Sequence, residues 1–286
     1  MKVLPFKIVK SEQHSILYQK DCDDAFYDAL HNHKEIQLSL ILKGEGTFVI
    51  GDCVGDFKPN DIFIIGEYLP HVFKSDKIQG EKSEMISLFF TEQTFGESFF
   101  RIPELAKLNS LLIKAQQGIK TSYYPKNLRD KFILHHTLEP LSQFINFIEI
   151  LSILSTHKGE KLSSPTVSKK YSDEDGSRMR DIFQFTLNNF NGQIQLDEVA
   201  DLANMTIQGF CRYFKKRTNK TYFNFLIDIR VGHACKLLSK DELDIAEVAY
   251  LSGFNNITHF NRKFKEKKKM TPTAYRKNLR SEKVLQ

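Results

Sequence analysis

At 286 residues the chain has room for two domains, each able to bury its own core, and its net charge of +6 is unevenly spread: Ser177 to Gln286 carries 20 Lys+Arg against 11 Asp+Glu, or +9, and the remainder 21 against 24, or −3. That asymmetry marks the carboxyl-terminal part for a polyanionic partner and argues against a chain that is basic throughout. The start "MKVLPFKIVK" has no apolar leader core, no apolar run approaches about eighteen residues, and Cys22, Cys53, Cys211 and Cys235 show neither CxxC spacing nor a disulfide framework; secretion and membrane insertion are therefore disfavoured, and reduced thiols in a cytoplasm are expected.

Residues 1 to about 95 alternate with the period of strands, in "IQLSLIL", "GTFVIG", "DIFIIG", "HVFKSD" and "MISLFF", with Gly44, Gly46 and the pair Gly51-Asp52 at the turns. Short strands at near-regular spacing predict a small barrel. His31, His33 and Glu35 are read as sharing one strand face, with His71 approaching across the barrel. Imidazole and carboxylate donors suit Fe, Mn, Zn or Ni, but polar residues at a barrel mouth that make structural hydrogen bonds or touch an effector are the plainer reading. No metal and no cofactor is assigned. A barrel of this size can hold one small ligand, for which His31, His33, Glu35, Gln37 and His71 are the lining candidates.

From Glu97 the period becomes helical. "ESFFRIPELAKLNSLLIKAQQGI" predicts one helix closed near Gly118, and "PKNLRDKFILHHTLEPLSQFINFIEILSILST" one or two more, broken before Pro140. Phe144, Phe147, Ile148, Leu151 and Leu154 form a broad apolar stripe, part of which must cover the barrel; the adjacent His135 and His136 face different directions on a helix and receive no role. Residues 157–177, "HKGEKLSSPTVSKKYSDEDGS", are polar and aperiodic and predict an interdomain linker, after which Arg178 to Phe190 begins a new helix.

Between Ile194 and Lys277 one pattern is written twice. Val199, Ala200, Asn204, Phe210, Arg212, Phe214 and Lys215 return about fifty residues later as Val248, Ala249, Gly253, Phe260, Arg262, Phe264 and Lys265. Each copy reads as two short helices around a tight turn, with Asn204 or Gly253 in the left-handed backbone, Asp197 and Thr206 as caps in the first copy and Asp244 or Ser239 near the entry of the second. Between the copies "YFNFLIDIRVGHACKLLS" predicts a helix from Tyr222 to Ser239, roughly 27 Å long at 1.5 Å per residue. A spacer of that size can set two recognition helices one DNA turn apart, roughly 34 Å.

The segments "EVADLANMT", "FCRYFKKRTNKTYFNFLIDIRVGHACKLL", "DIAEVAYLSGFNNITHFNRKFK" and "MTPTAYRK" resemble the DNA-binding domain of the AraC/XylS family of bacterial transcription regulators, over roughly a third of the chain. The order His31-Asn32-His33, Gly44-Glu45-Gly46, Pro59-Asn60-Asp61, Leu69-Pro70-His71 resembles, more loosely, the cupin-type sensor domain found in many members, although Glu35 follows His33 too soon for a metal cupin. Asn219 and Lys269 depart from the pattern, standing where the family has glycine after each recognition helix; Asn accommodates that backbone, whereas Lys269 implies a strained or altered turn.

The resemblance implies an α+β chain: residues 1–156 a cupin-like β-barrel with following helices for effector sensing and dimerisation, 157–177 a linker, and 178–286 an all-α domain of two helix-turn-helix units joined by a long helix. It further implies a cytoplasmic, homodimeric regulator of double-stranded DNA, with part of the apolar stripe as dimer interface. Activation through RNA polymerase in response to a small molecule is expected, and no catalytic residues. Carried over to matching positions, Gln208, Cys211 and Arg212 face bases in one major groove and Ile257, Thr258, His259 and Arg262 in the next, with Arg suited to guanine, Gln to adenine and methyls to thymine. Lys215, Lys216, Lys220, Lys263 and Lys265 serve phosphates. The competing readings are a metal-dependent cupin enzyme fused to a DNA-binding tail and a non-specific nucleic-acid packager; the latter explains poorly why the basic charge is confined to two matched helices.

Overall fold

The structure, a computed structural model, describes residues 15–27, 29–76, 80–164, 173–240 and 242–284 and forms two compact units that change over between Gly176 and Ser177. In the first, β1 (Leu17–Asp23), β2 (Ile36–Lys43), β3 (Gly46–Ile50), β4 (Cys53–Phe57), β5 (Ile62–Ile65), β6 (His71–Ser75), β7 (Ser83–Phe90), β8 (Ile119–Thr121) and β9 (Glu160–Lys161) build a six-stranded sheet ordered β1-β7-β2-β5-β8-β9 and a three-stranded sheet ordered β4-β3-β6. The central strands are buried on both faces, because successive side chains point to opposite sides and both sides are covered. Ile41, Phe63, Ile65 and Met85 join Phe48, Ile50, Phe57 and Phe73 of the smaller sheet in one cluster. Leu38, Leu40, Ile62, Ile64, Ile86, Leu88 and Phe90 point the other way, into a cluster shared with the helices.

Those helices are α1 (Ala106–Ala115), α2 (Lys126–Leu134) and α3 (Pro140–Thr156), the last starting with proline in its first turn as the break before Pro140 predicts. Of the expected stripe, Phe147, Leu151 and Leu154 are buried in this unit's own core, and Phe144 lies against Phe95 at 5.1 Å. Leu134, Leu141 and Ile145 are instead the exposed apolar residues of α2 and α3. The paired strands β5 and β8 are further tied by a buried ion pair: Asp61, fully buried, accepts from Lys120 Nζ at 2.8 Å, Ser122 Oγ at 2.5 Å and the Lys58 N–H at 3.0 Å.

The expected linker is shorter than 157–177. Glu160 and Lys161 pair with β8, the N–H groups of Leu162 and Ser163 donate to the Gly118 and Gln117 carbonyls, and Ser163 Oγ donates to Asp52 at 2.8 Å. The next helix, α4 (Asp173–Asn189), begins before residue 178; residues 165–172 of the expected linker, like residues 1–14 of the expected sensor domain, lie outside the described residues. A polar, aperiodic sequence is thus compatible with backbone pairing at a sheet edge, where no side-chain period is needed.

The second unit continues with α5 (Leu196–Leu202), α6 (Ile207–Thr218), α7 (Tyr222–Lys240), α8 (Ile245–Leu251), α9 (Ile257–Lys268) and α10 (Pro272–Val284). Asp197 is not the cap of α5: the cap residue is Gln195, whose N–H is held by the Glu198 carboxylate at 3.1 Å, while Asp197 takes the Glu198 N–H from inside the first turn. Thr206 caps α6, Asp244 caps α8 in a capping box with Glu247, and Asn256 caps α9. Among the described residues no helix is long and apolar enough to cross a membrane, and the four cysteines are not joined to one another in disulfides.

Candidate nucleic-acid interface and imidazole cluster

The duplication is structural down to its backbone angles. Asn204 (φ 53°) and Gly253 (φ +82°) turn the chain between the helices of each unit, and Asn219 (φ 56°) and Lys269 (φ 60°) end α6 and α9, each donating its N–H four residues back, to Lys215 O and Lys265 O at 2.9 Å. Gly253 has a second reason to be glycine: a Cβ there would stand 2.5 Å from the Phe190 carbonyl oxygen and 2.8 Å from Arg230 Nε. Arg230, on α7, donates to that same Phe190 carbonyl at 2.7 Å and to Gly192 O at 2.8 Å, and lies over the Phe254 ring, joining the end of α4 to the second turn. Sequence reading missed this residue, because its partners are far away in the chain.

Phe210 and Phe214 of α6 and Phe260 and Phe264 of α9 are fully buried. Their burial fixes the opposite faces outward: Gln208, Cys211, Arg212, Lys215 and Lys216 on α6, and Ile257, Thr258, His259, Arg262 and Lys265 on α9, are all exposed. Partial burial and the neighbouring Arg262, Lys263 and Arg230 cations hold His259 below the usual imidazole range. Two of the five lysines expected to serve phosphates already have acid partners. Lys263 Nζ lies 2.8 Å from Glu266, and Lys220 Nζ lies 2.9 Å from Asp228 of α7, whose second oxygen takes Lys267 of α9 at 2.5 Å. One carboxylate thus holds a lysine from each helix-turn-helix unit.

In the first unit the structure gathers four of the five expected pocket residues. His31 and His33 do not share a strand face, since β2 begins only at Ile36; His31 instead exchanges backbone hydrogen bonds with His71 at 3.1 and 2.9 Å. That bridge brings the His31 and His71 rings to 4.4 Å and those of His33 and His71 to 5.0 Å. Gln37 reaches the cluster from β2, backed by Ser39 and by Ser87 of the neighbouring strand. Glu35 stays outside the cluster, its carboxylate 3.8 Å from the far-side Nδ1 of His33. Burial pushes all three imidazoles down, His31 to about 4, so the rings are neutral at neutral pH.

Comparison with known proteins places both units. Residues 199–278 match a family described as a helix-turn-helix domain, and residues 13–88 match the AraC-like ligand binding domain. An uncharacterized transcriptional regulator of the helix-turn-helix type from Bacillus subtilis (strain 168), YdeC, is 27% identical over 263 residues, covering 88% of this chain and 87% of its own length. The helix-turn-helix transcriptional activator RhaS of Yersinia pestis (strain Pestoides F) is 22% identical over 255 residues, covering 87% and 89%. Among solved structures, ToxT from Vibrio cholerae aligns over 91% of this chain and 97% of its own at 12% identity, with a TM-score of 0.36. With a β-built unit of the AraC-like ligand-binding type followed on the same chain by paired helix-turn-helix units, the protein belongs to the AraC/XylS family of DNA-binding transcription regulators.

Proposed function

We propose that the chain is an effector-responsive activator that lays α6 and α9 in successive major grooves of one double-stranded DNA site. The observation that carries this reading is the matched pair of exposed faces, with Arg212 and Arg262 at equivalent positions above equivalent buried phenylalanines. Gln208, Cys211 and Arg212 read one block of bases, and Ile257, Thr258, His259 and Arg262 the other. A long guanidinium takes guanine, and the apolar groups take thymine methyls. Lys215, Lys216 and Lys265, exposed and beside these faces, neutralise phosphates; Lys220 and Lys263 do so after leaving their carboxylates.

The amino-terminal unit senses a small molecule near His31, His33, Gln37 and His71, and the exposed Leu134, Leu141 and Ile145 supply contact with a second copy in a cytoplasmic homodimer. Activation further requires contact with RNA polymerase. Effector control demands different effector affinity in the DNA-bound and free states.

The test is selection from random duplex DNA at near-physiological salt. The expected product is a bipartite site whose two blocks lie about 10 base pairs apart, centre to centre. Arg212→Ala should relax one block and Arg262→Ala the other, each at a cost of about 1–3 kcal/mol. A pool without sequence preference, or one block that neither variant alters, would sink the two-groove reading.

A further inference from the structure

The large sheet of the first unit has a second concave surface, on the face turned away from the imidazole cluster. Gln37 of that cluster is paired with Ile65, whereas Ile64 is paired with Leu38 and points to the helix side. There Ile64, Ile119 of β8, Leu111 of α1 and Leu154 of α3, all buried, form the floor of a cavity of about 390 Å3. The segment leading into β9 closes one edge. A Cβ on Gly159 would stand 2.2 Å from Ile119 Cγ2, and the Lys158 carbonyl accepts from Thr121 Oγ1 at 3.4 Å, so this wall is pressed onto the floor.

The rim has the opposite character. Lys114 of α1, Lys158 just before β9 and Lys161 within it line the cavity, and no acidic side chain does. Strand register sets this bias: Lys161 is paired with Ile119 and shares its face, while Glu160 is paired with Lys120 on the other. Among the described residues none of the three lysines has a carboxylate partner. The nearby helix ends do not use these charges either. In the last turn of α3, Ser155 Oγ donates to Ser152 O at 2.8 Å, and Thr156 Oγ1 and His157 Nδ1 donate to Ile153 O at 2.8 and 2.7 Å. At the end of α1 the Lys114 and Ala115 carbonyls accept from the N–H groups of Gln117 and Gly118.

We propose that this cavity binds a small organic monoanion, with an aliphatic body on the floor and a carboxylate held between Lys114, Lys158 and Lys161. The site is separate from the imidazole cluster and does not depend on the sensing role given to that cluster. A cavity with an apolar floor and a few convergent polar groups is the usual form of a small-molecule site. The body is aliphatic because no Phe or Tyr lines the cavity for a flat ring to stack on. The head is anionic because a carboxylate satisfies ammonium groups by charge-assisted hydrogen bonds. Inorganic phosphate meets the lysines equally well but leaves the floor in water, so it lacks the apolar part of the binding energy. A bound carboxylate joins α1 to β9, the last strand of the unit.

The test is calorimetric titration of the full chain, without DNA, with three probes: cyclohexanebutanoate, its uncharged amide, and inorganic phosphate. Saturable uptake of one carboxylate per chain is expected, with the amide weaker by about tenfold or more and phosphate a poor competitor. Lys158→Met together with Lys161→Met, both at exposed positions, should bring the carboxylate down to the level of the amide and leave the amide unchanged. Ser155→Phe, which puts a ring into the cavity from the end of α3, should weaken both. His33→Ala, in the other recess, should weaken neither. No saturable uptake, equal affinity for acid and amide, or lysine variants that bind as the parent does would overturn the proposal. So would phosphate competing as well as the carboxylate, which would mean a bare cationic patch, or uptake lost in His33→Ala, which would place the ligand inside the barrel.

Discussion

Replacing Lys269 by glycine should stabilise the carboxyl-terminal unit. Lys269 ends α9 at φ 60°, ψ 11°, in the left-handed region, and its side chain is exposed. For a residue with a Cβ that backbone costs about 1–2 kcal/mol, which glycine removes. Against this, glycine loses more freedom on folding, about 0.5–1 kcal/mol, and the lysine's favourable place at the negative end of a helix is worth about 0.3 kcal/mol at an exposed site. The net expectation is a gain of about 0.5 kcal/mol, or a rise of about 2–4 °C in the melting of a unit this size. Calorimetry of the full chain, following the transition of the carboxyl-terminal unit, provides the measurement. Asn219→Gly, at the equivalent end of α6 (φ 56°), should gain less, since Asn tolerates this backbone. Lys269→Ala retains the strain and should gain nothing. Equal stabilisation by Ala and Gly would refute the backbone argument and point to repulsion among Lys267, Lys268 and Lys269.

Gly253→Ala should cost about 2–4 kcal/mol, from the left-handed backbone and the clash with the Phe190 carbonyl together; chemical denaturation reads it, and a neutral result would mean that the second turn shifts freely. Asp61→Ala should destabilise the first unit by about 3 kcal/mol by stranding the Lys120 ammonium, and Asp61→Ala with Lys120→Met should recover most of that. No recovery in the double variant would show that the Ser122 and Lys58 hydrogen bonds matter more than the charge. Burial pushes the His135 imidazole down to about 4 from the usual 6.5, and its Nδ1 lies 3.1 Å from the Asn146 amide nitrogen. The unfolded chain therefore takes up this proton first on acidification: the contribution is complete above pH 6.5 and declines as pH falls toward about 4. His135→Gln should flatten the stability profile in that window relative to the parent chain, and superimposable profiles would contradict the assignment.

What could be read from the sequence follows from how local the determinants are. The turns at Asn204 and Gly253, the caps Thr206 and Asp244, and nearly both ends of α7 depend on a few neighbouring residues, and the structure has them where the periodicity predicts. β8 and β9, of three and two residues, are too short to show any period, and β4 runs through Gly55 and Asp56 without apolar alternation. Gln195 outcompetes Asp197 as cap because Glu198 reaches back to its N–H, a choice of register that composition alone leaves open. The polar barrel residues could be named from sequence. Their arrangement could not, because it depends on the bridge between His31 and His71 and on the register that sets Ser39 opposite Ser87.

Asp228 changes how the basic charge of the second unit should be counted. Each phosphate contact made by a free cation releases a condensed counterion and steepens the dependence of affinity on salt by about 0.9 per contact. Lys220 and Lys263 are already paired with Asp228 and Glu266, so in the proposed complex they would exchange one anion for another. If the five lysines serve phosphates as proposed, their contribution to the slope is then expected nearer about −2.7 than about −4.5, a difference that binding measured over a range of salt concentrations would read. Because Asp228 also holds Lys267, a phosphate that drew Lys220 away in the proposed complex would leave the carboxylate to Lys267 alone, coupling the charge of one helix-turn-helix to that of the other.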